Sequence, residues 1–147
     1  MIKNERQYRI TNTEAQKFEQ ALIHLDQLEA EKQENSILWQ MQRDAIESQL
    51  TDLREELKEY EALTRHSSEG SIGLTLHSLR ELPVALIKAR IAANLSQKAL
   101  ADCLGLKEQQ IQRYEATEYA SAKLSRILEI SETLGLRLEG DLFIKTD

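Results

Sequence analysis

One stretch decides the fold of this 147-residue chain: residues 96–115 read Ser-Gln-Lys-Ala-Leu-Ala-Asp-Cys-Leu-Gly-Leu-Lys-Glu-Gln-Gln-Ile-Gln-Arg-Tyr-Glu. Ser96 is a favourable cap for a first helix, whose inner face is formed by Leu100, Ala101 and Leu104. Gly105 can adopt the left-handed conformation that closes a helix in a tight turn. The stretch therefore begins with a short amphipathic helix that ends at Gly105.

A second helix is predicted from about Glu108 to Tyr114. Its inward side chains are Ile111 and Tyr114, and its opposite side consists of amide and charged groups. Gln109, Gln112 and Arg113 are spaced i, i+3 and i+4, so they share one patch. Two short helices joined by a tight turn, the second with a polar outer face, are typical of a helix-turn-helix that reads DNA.

Composition favours an all-α protein. The chain contains 5 glycines and 1 proline, and aromatic residues make up only 5% of it, whereas turn-rich β folds use all three freely. The single cysteine, Cys103, cannot form an internal disulfide. No apolar run approaches the roughly 18 residues of a membrane span. We therefore expect a cytoplasmic protein that is neither exported nor inserted in a membrane.

The net charge of −6 is unevenly distributed. Residues 1–71 contain 9 basic and 15 acidic residues, whereas residues 72–147 contain 10 of each. Within residues 80–126 there are 8 basic and 5 acidic residues, a balance of +3. Binding to a polyanion needs positive charge at the contact surface, and this modest excess predicts that two copies must act together.

Two helices are predicted in the acidic half, residues 1–65. Residues 6–10 alternate like a short strand or arm, and residues 11–14 form a capping box for a first helix. That helix has an apolar stripe at Ala15, Phe18, Leu22, Leu25 and Leu28. After a cap at Asn35 or Ser36, a second stripe follows at Trp39, Ile46, Leu50, Leu53, Leu57 and Tyr60. We expect a hairpin that also pairs with a second chain; the alternative is one helix of roughly 50 residues in a parallel coiled coil.

Residues 66–78 are small, polar and glycine-containing, and are predicted to be a linker. Ser78 to Glu81 then form a capping box, from which a helix should run to about Asn94. His24, His66 and His77 have no metal-ligand spacing, and no nucleophile–base pair or phosphate loop is present, so we expect no cofactor, no metal and no enzymatic activity. Cys103 is interpreted as a small core or near-core residue.

Residues 79–135 resemble the Cro/repressor-type helix-turn-helix domain of the Xre regulators. The resemblance is carried by Leu95-Ser96-Gln97, Leu100-Ala101, Leu104-Gly105, then Ile111 and Tyr114, and a helix over 122–134 ending at Gly135. It implies a compact bundle of about five helices within a C-terminal domain, residues 79–147. It also implies a structural salt bridge between Arg90 and Glu115, and a helix-start glutamine, Gln97, that binds phosphate and braces the recognition helix.

The resemblance further implies which side chains face DNA. They are Gln97, Lys98, Lys107, Glu108, Gln109, Gln112 and Arg113, followed by Thr117, Tyr119, Ser121 and Lys123 after the recognition helix. Glu108 departs from the glutamine common in phage repressors, and it either accepts a bond from cytosine or stabilises the helix N-terminus while repelling phosphate. The family's glycine after this helix is also absent, so we expect a different exit turn.

The residues from Leu136 to Ile144 alternate enough for a short strand, which would need a partner across a dimer axis or in residues 8–10. The complete pattern predicts a sequence-specific DNA-binding regulator, a homodimeric repressor acting on an inverted repeat in double-stranded DNA. One alternative is an antitoxin that binds a toxin protein and represses its own operon. Another is a protein-interaction scaffold without DNA binding.

Overall fold

A computed structural model of the chain describes residues 1–28, 36–65, 70, 72–141 and 143–146. These residues form six α-helices and no strand, which confirms the all-α prediction. The helices are α1 (Glu5–Gln27), α2 (Ser36–Arg65), α3 (Leu82–Ala92), α4 (Gln97–Cys103), α5 (Glu108–Ala116) and α6 (Leu124–Thr133), with a 3₁₀ turn at Leu79–Glu81. No helix in the described ranges is both long and apolar enough to cross a membrane.

The chain divides into two compact units, Met1–Gly70 and Ser71–Asp147. Helices α1 and α2 form the first unit, and the remaining helices form the second. The separate roles that the sequence suggests for the two parts, dimerisation and DNA binding, stay predictions.

Helix α1 begins at Glu5, before the capping box expected at residues 11–14. The Asn4 side chain accepts a hydrogen bond from the Gln7 N–H at 2.9 Å, and the Gln7 side chain accepts one from the Lys3 N–H at 2.8 Å. These bonds satisfy N–H groups at the start of the helix. The strand or arm expected at residues 6–10 was therefore wrong, as was the helix start at residues 11–14, where the Thr13 hydroxyl donates to the Arg9 carbonyl within α1 at 2.9 Å.

The two long helices form an antiparallel hairpin. The Trp39 indole N–H donates to the Leu25 carbonyl at 3.0 Å, close to one end of α1. Ion pairs then follow in opposite chain directions: Arg43 with Asp26 at 3.1 Å, Arg54 with Glu19 at 2.7 Å, and the Met1 amino group with Glu56 at 2.9 Å. The hairpin is confirmed and the single continuous helix was wrong. Asn35, one of the two expected caps, lies outside the described residues.

The apolar stripes of the hairpin pack against each other. Ile2, Ala15, Leu50 and Leu57 are buried together, and Tyr8, Phe18, Leu22, Leu53 and Tyr60 pack around them. The rings of Tyr8 and Tyr60 stack with centroids 5.3 Å apart, and the Tyr8 hydroxyl donates to Glu61 at 2.7 Å. Both stripes are therefore covered within one chain, and the expected pairing with a second chain stays a prediction.

The second unit starts with the predicted cap in a slightly shifted form. The Ser78 hydroxyl accepts from the Arg80 N–H at 3.2 Å, and Glu81 accepts from the His77 N–H at 3.0 Å, which produces the 3₁₀ turn before α3. The Ser96 hydroxyl caps α4 by accepting from the Ala99 N–H at 3.0 Å. Gly105 has the left-handed φ of 64° that the turn requires.

The core of this unit consists of fully or nearly fully buried apolar residues from each α-helix: Leu86, Ile87, Ile91, Leu100, Ala101, Ile111 and Ile130. Cys103, expected in or near the core, is exposed at the last residue of α4. The expected C-terminal strand was also wrong for residues 136–141 and 143–146. Residues 8–10, one of its two expected partners, belong to α1.

We expect Leu50→Ala to destabilise the hairpin by about 2–5 kcal/mol, since the change leaves a cavity in the buried cluster. Trp39 is the only tryptophan, so urea unfolding followed by its fluorescence reports this unit. Met41→Ala, at an exposed position of the same helix, is the matched control, and its effect should stay within about 0.5 kcal/mol. Equal effects of the two changes would contradict the assigned core.

Candidate nucleic-acid interface

Helix α5 presents a polar face to solvent and an apolar face to the core. Its start is fixed by the Lys107 N–H, which donates to the Gln110 side chain at 3.0 Å. Ile111 and Glu115 are buried beneath it, and α4 packs against it. The exposed side chains are Glu108, Gln109, Gln112 and Arg113. The capping role of Gln110 was missed in the sequence, although a glutamine three residues after a cap is a known signal.

A buried ion pair holds α5 against α3. The Arg90 guanidinium donates to both carboxylate oxygens of Glu115, from Nη2 to Oε2 at 2.9 Å and from Nε to Oε1. Their side chains are only 3% and 0% exposed. Arg90 Nη1 also donates to the Leu95 carbonyl at 2.8 Å, in the turn before α4. The two residues that the resemblance paired therefore connect α3, this turn and α5.

Gln97 joins the same network. Its Nε2 donates to Glu115 Oε2 at 2.7 Å, so the first residue of α4 is tied to α5. Glu115 thus accepts hydrogen bonds from two different side chains, which compensates part of the cost of burying its charge. In this arrangement Gln97 braces α5. Its expected contact with a phosphate stays a prediction.

Glu108 and Gln112 are joined within α5. Gln112 Nε2 donates to Glu108 Oε1 at 3.0 Å, one helical turn apart. A primary amide has two N–H donors and a carbonyl acceptor, so Gln112 keeps one donor and its acceptor for another partner. That is the pair of groups needed for a bidentate bond to adenine. Glu108 also lies in the first turn of α5, where a carboxylate interacts favourably with the helix dipole.

The other expected contacts surround this patch. Lys98, Lys107, Ser121 and Lys123 are exposed. Thr117 is exposed too, but its hydroxyl donates to the Arg113 carbonyl at 3.0 Å. In this conformation the Thr117 proton is therefore used within the protein and is not offered to a phosphate.

Tyr119 does not belong to the surface. It is 2% exposed, and its ring stacks on Tyr114 with centroids 5.9 Å apart. The exit turn without glycine places Glu118 and Tyr119 at φ values of 48° and 58°, and the Tyr119 N–H donates to the Tyr114 carbonyl at 2.7 Å. Left-handed backbone costs a residue with a Cβ about 1–2 kcal/mol. Burial of the Tyr119 ring offsets this cost, so its assignment as a DNA contact was wrong.

Burial also changes the chemistry of the Tyr119 hydroxyl. It has no hydrogen-bond partner within the described part of the chain. Desolvation raises its pKa well above the ordinary value, and the nearby charge of Glu115 raises it further, while Arg90 opposes the shift. The same described residues contain no group of His, Cys, Asp and Glu side chains placed to bind a metal ion.

We expect Glu115→Ala to destabilise the second unit by about 3–5 kcal/mol, because it leaves the Arg90 charge buried and unpaired. The double change Arg90→Leu/Glu115→Leu should cost less than the single one, since no lone charge remains. The loss of stability in both variants is measured by hydrogen exchange of residues 82–133, followed by mass spectrometry as a function of urea concentration. Glu129→Ala, which breaks the exposed Arg126 pair at 2.6 Å, is the control and should cost under about 1 kcal/mol.

Tyr119→Phe should make the second unit less sensitive to alkali. A raised pKa in the folded state means that the unfolded chain loses the phenolic proton first, so stability is complete below about pH 10 and falls above it. Phenylalanine keeps the buried ring and removes this loss. The measurement is the free energy of unfolding on either side of pH 10. Tyr114→Phe retains Tyr119 and should keep the alkaline loss; identical profiles for the two variants would contradict the assignment.

Residues 86–140 match a family model described as Helix-turn-helix. The match extends over every residue expected to face DNA and over Arg90 and Glu115, so the resemblance to the Xre-type domain is confirmed for this segment. No curated protein and no solved structure matches the chain. The chain therefore contains a helix-turn-helix domain of the Xre type, the domain of a DNA-binding transcriptional regulator.

Proposed function

We propose that this protein is a sequence-specific repressor that binds an inverted repeat in double-stranded DNA as a homodimer. The observation that carries the proposal is the exposed patch of Gln109, Gln112 and Arg113 on a helix whose back is fixed by Arg90, Gln97 and Glu115. A side chain can discriminate between bases only if its backbone is held in place. α5 meets that requirement and serves as the recognition helix.

The chemistry of the patch suits the major groove. Gln112, oriented by Glu108, has a donor and an acceptor for adenine, and Arg113 can bond to both acceptors of guanine. Each such bidentate contact contributes about 1–3 kcal/mol of discrimination. Because Glu108 is engaged by Gln112 and lies at the helix N-terminus, its role is to orient the amide and stabilise the helix rather than to read cytosine.

The charge distribution supports action as a pair. Residues 80–126 have a balance of only +3, which supplies modest attraction to phosphate. Two recognition helices related by a two-fold axis would contact half-sites about 34–36 Å apart and combine their weak affinities. The hairpin unit, residues 1–65, forms the contact between the two copies. The bound dimer then blocks transcription from the site.

Selection of bound sequences from a random duplex pool with the pure protein tests this proposal. We expect an inverted repeat, with affinity that falls steeply as salt is added. Gln112→Ala and Arg113→Ala should each weaken binding to the selected site by about 5- to 150-fold, the equivalent of about 1–3 kcal/mol. Fluorescence anisotropy of a labelled duplex measures the loss, and circular dichroism confirms that the variants fold.

Gln49→Ala and Arg137→Ala, at exposed positions outside the patch, are the matched controls and should bind like the parent. An unchanged preference in both α5 variants would overturn the assignment of the recognition helix. If the protein bound no duplex at any salt concentration, the scaffold alternative would replace the regulator.

A further inference from the structure

We propose that the outer face of α1 is the surface on which a second copy of the chain docks, with the two α1 helices antiparallel about a two-fold axis. This α1 outer face consists of Ile10, Glu14, Lys17 and Ala21, with Arg9, Thr13 and Phe18 along its borders. The inference rests on the homodimer of the proposed function and assigns its contact surface.

The α1 outer face is separate from the hairpin core. Its four central residues are spaced by four, three and four positions, so at 100° per residue they lie within about 60° of one another. Ala15, which is at least about 100° from each of them, points instead into the buried side of the helix. Among the residues that the structure describes, these four and the bordering residues of α1 line a shallow depression in the surface. Ile10 remains 56% exposed there, a large apolar side chain that the hairpin does not cover.

The order of residues on this face is self-complementary. If two α1 helices cross antiparallel at the level of residues 15 and 16, Ile10 faces Ala21 of the partner subunit. Glu14 then faces Lys17 of the partner subunit, and Thr13 faces Phe18 of the partner subunit. The two-fold axis repeats each contact, which is the property of an isologous interface. The large Ile10 meets a small alanine, and each carboxylate meets an ammonium group.

The charges on this face select both the partner and the direction. Glu14 and Lys17 are exposed, and neither forms an ion pair with the residues that the structure describes. Elsewhere in the hairpin, ion pairs join Arg43 to Asp26 and Arg54 to Glu19. A parallel arrangement in register would place Glu14 against Glu14 and Lys17 against Lys17, which is repulsive. Only the antiparallel arrangement neutralises both charges.

The interface is short. Residues 10–21 cover about 17 Å of helix, roughly three turns. Two helices in contact over this length bury much less surface than the roughly 1,200 Å² of a stable complex. The dimer should therefore dissociate on dilution, and simultaneous binding to two half-sites should strengthen it.

Charge reversal in the full-length protein tests this surface. Glu14→Lys places lysine against lysine across the axis, and Lys17→Glu places glutamate against glutamate. Each should raise the dimer dissociation constant by about tenfold or more, because two ion pairs become two repulsive contacts. Sedimentation velocity over a concentration series measures this. The double variant Glu14→Lys/Lys17→Glu should dimerise like the parent, since both pairs are restored with reversed sign.

Mixing the two single variants gives the sharpest result. Each variant alone is weakened, whereas a heterodimer of Glu14→Lys with Lys17→Glu contains two attractive pairs. Native mass spectrometry should show heterodimers well above the statistical proportion. For the apolar contact, Ile10→Asp should also weaken the dimer, and Ile23→Asp is its control, at a position 50% exposed on another face of α1. Trp39 fluorescence confirms that the hairpin of each variant is folded.

The outcomes separate this inference from the proposed function. If the parent is dimeric and the charge variants dimerise equally well, the α1 outer face is not the dimer contact, and the proposed homodimer is retained. If the parent stays monomeric at every concentration and on DNA, both the surface and the homodimer are overturned, while recognition by α5 is judged by the duplex selection alone.

Discussion

The buried ion pair between Arg90 and Glu115 determines how the second unit presents helix α5 to solvent. Removing two charges from water is costly, and their attraction repays this only when geometry and further hydrogen bonds are favourable. Here Glu115 accepts from Arg90 and Gln97, and Arg90 also donates to the Leu95 carbonyl. Apolar residues of similar volume could supply equal stability but not this directionality. The network joins α3, the turn before α4, α4 and α5, so the outward direction of Gln112 and Arg113 follows from it.

The polar patch favours discrimination over strong general attraction. Two glutamines and one arginine offer hydrogen-bonding groups with little net charge, and Glu108 adds a carboxylate that repels phosphate. The bond from Gln112 to Glu108 restricts a flexible amide before it meets a base, which reduces the entropy lost on binding. Under the proposed function, such a patch gives weak binding to random DNA, and useful affinity at the selected site then requires a second copy.

Much of this structure could be predicted from local patterns. The three- and four-residue spacing of apolar side chains predicted the hairpin, and Ser96, Gly105 and Ile111 predicted the helix-turn-helix. The errors occurred where short patterns are ambiguous or distant contacts decide. Five alternating residues from Arg6 fit a strand as well as a helix, and the Asn4 cap decides for the helix. The burial of Tyr119 depends on stacking with Tyr114 and on a strained turn, neither of which has a periodic signal.

The hairpin core limits how a second copy can bind. Leu50, Leu57 and their neighbours are already buried by packing within one chain. A partner must therefore contact residues outside the two apolar stripes of the hairpin. On the α1 outer face the apolar area is small, and charge complementarity then contributes a large share of the binding energy. Salt screens such exposed ion pairs, just as it weakens contacts with phosphate. The two proposals together therefore imply that affinity for a complete inverted repeat falls with added salt for two reasons, whereas affinity of one domain for a single half-site falls for only one of them.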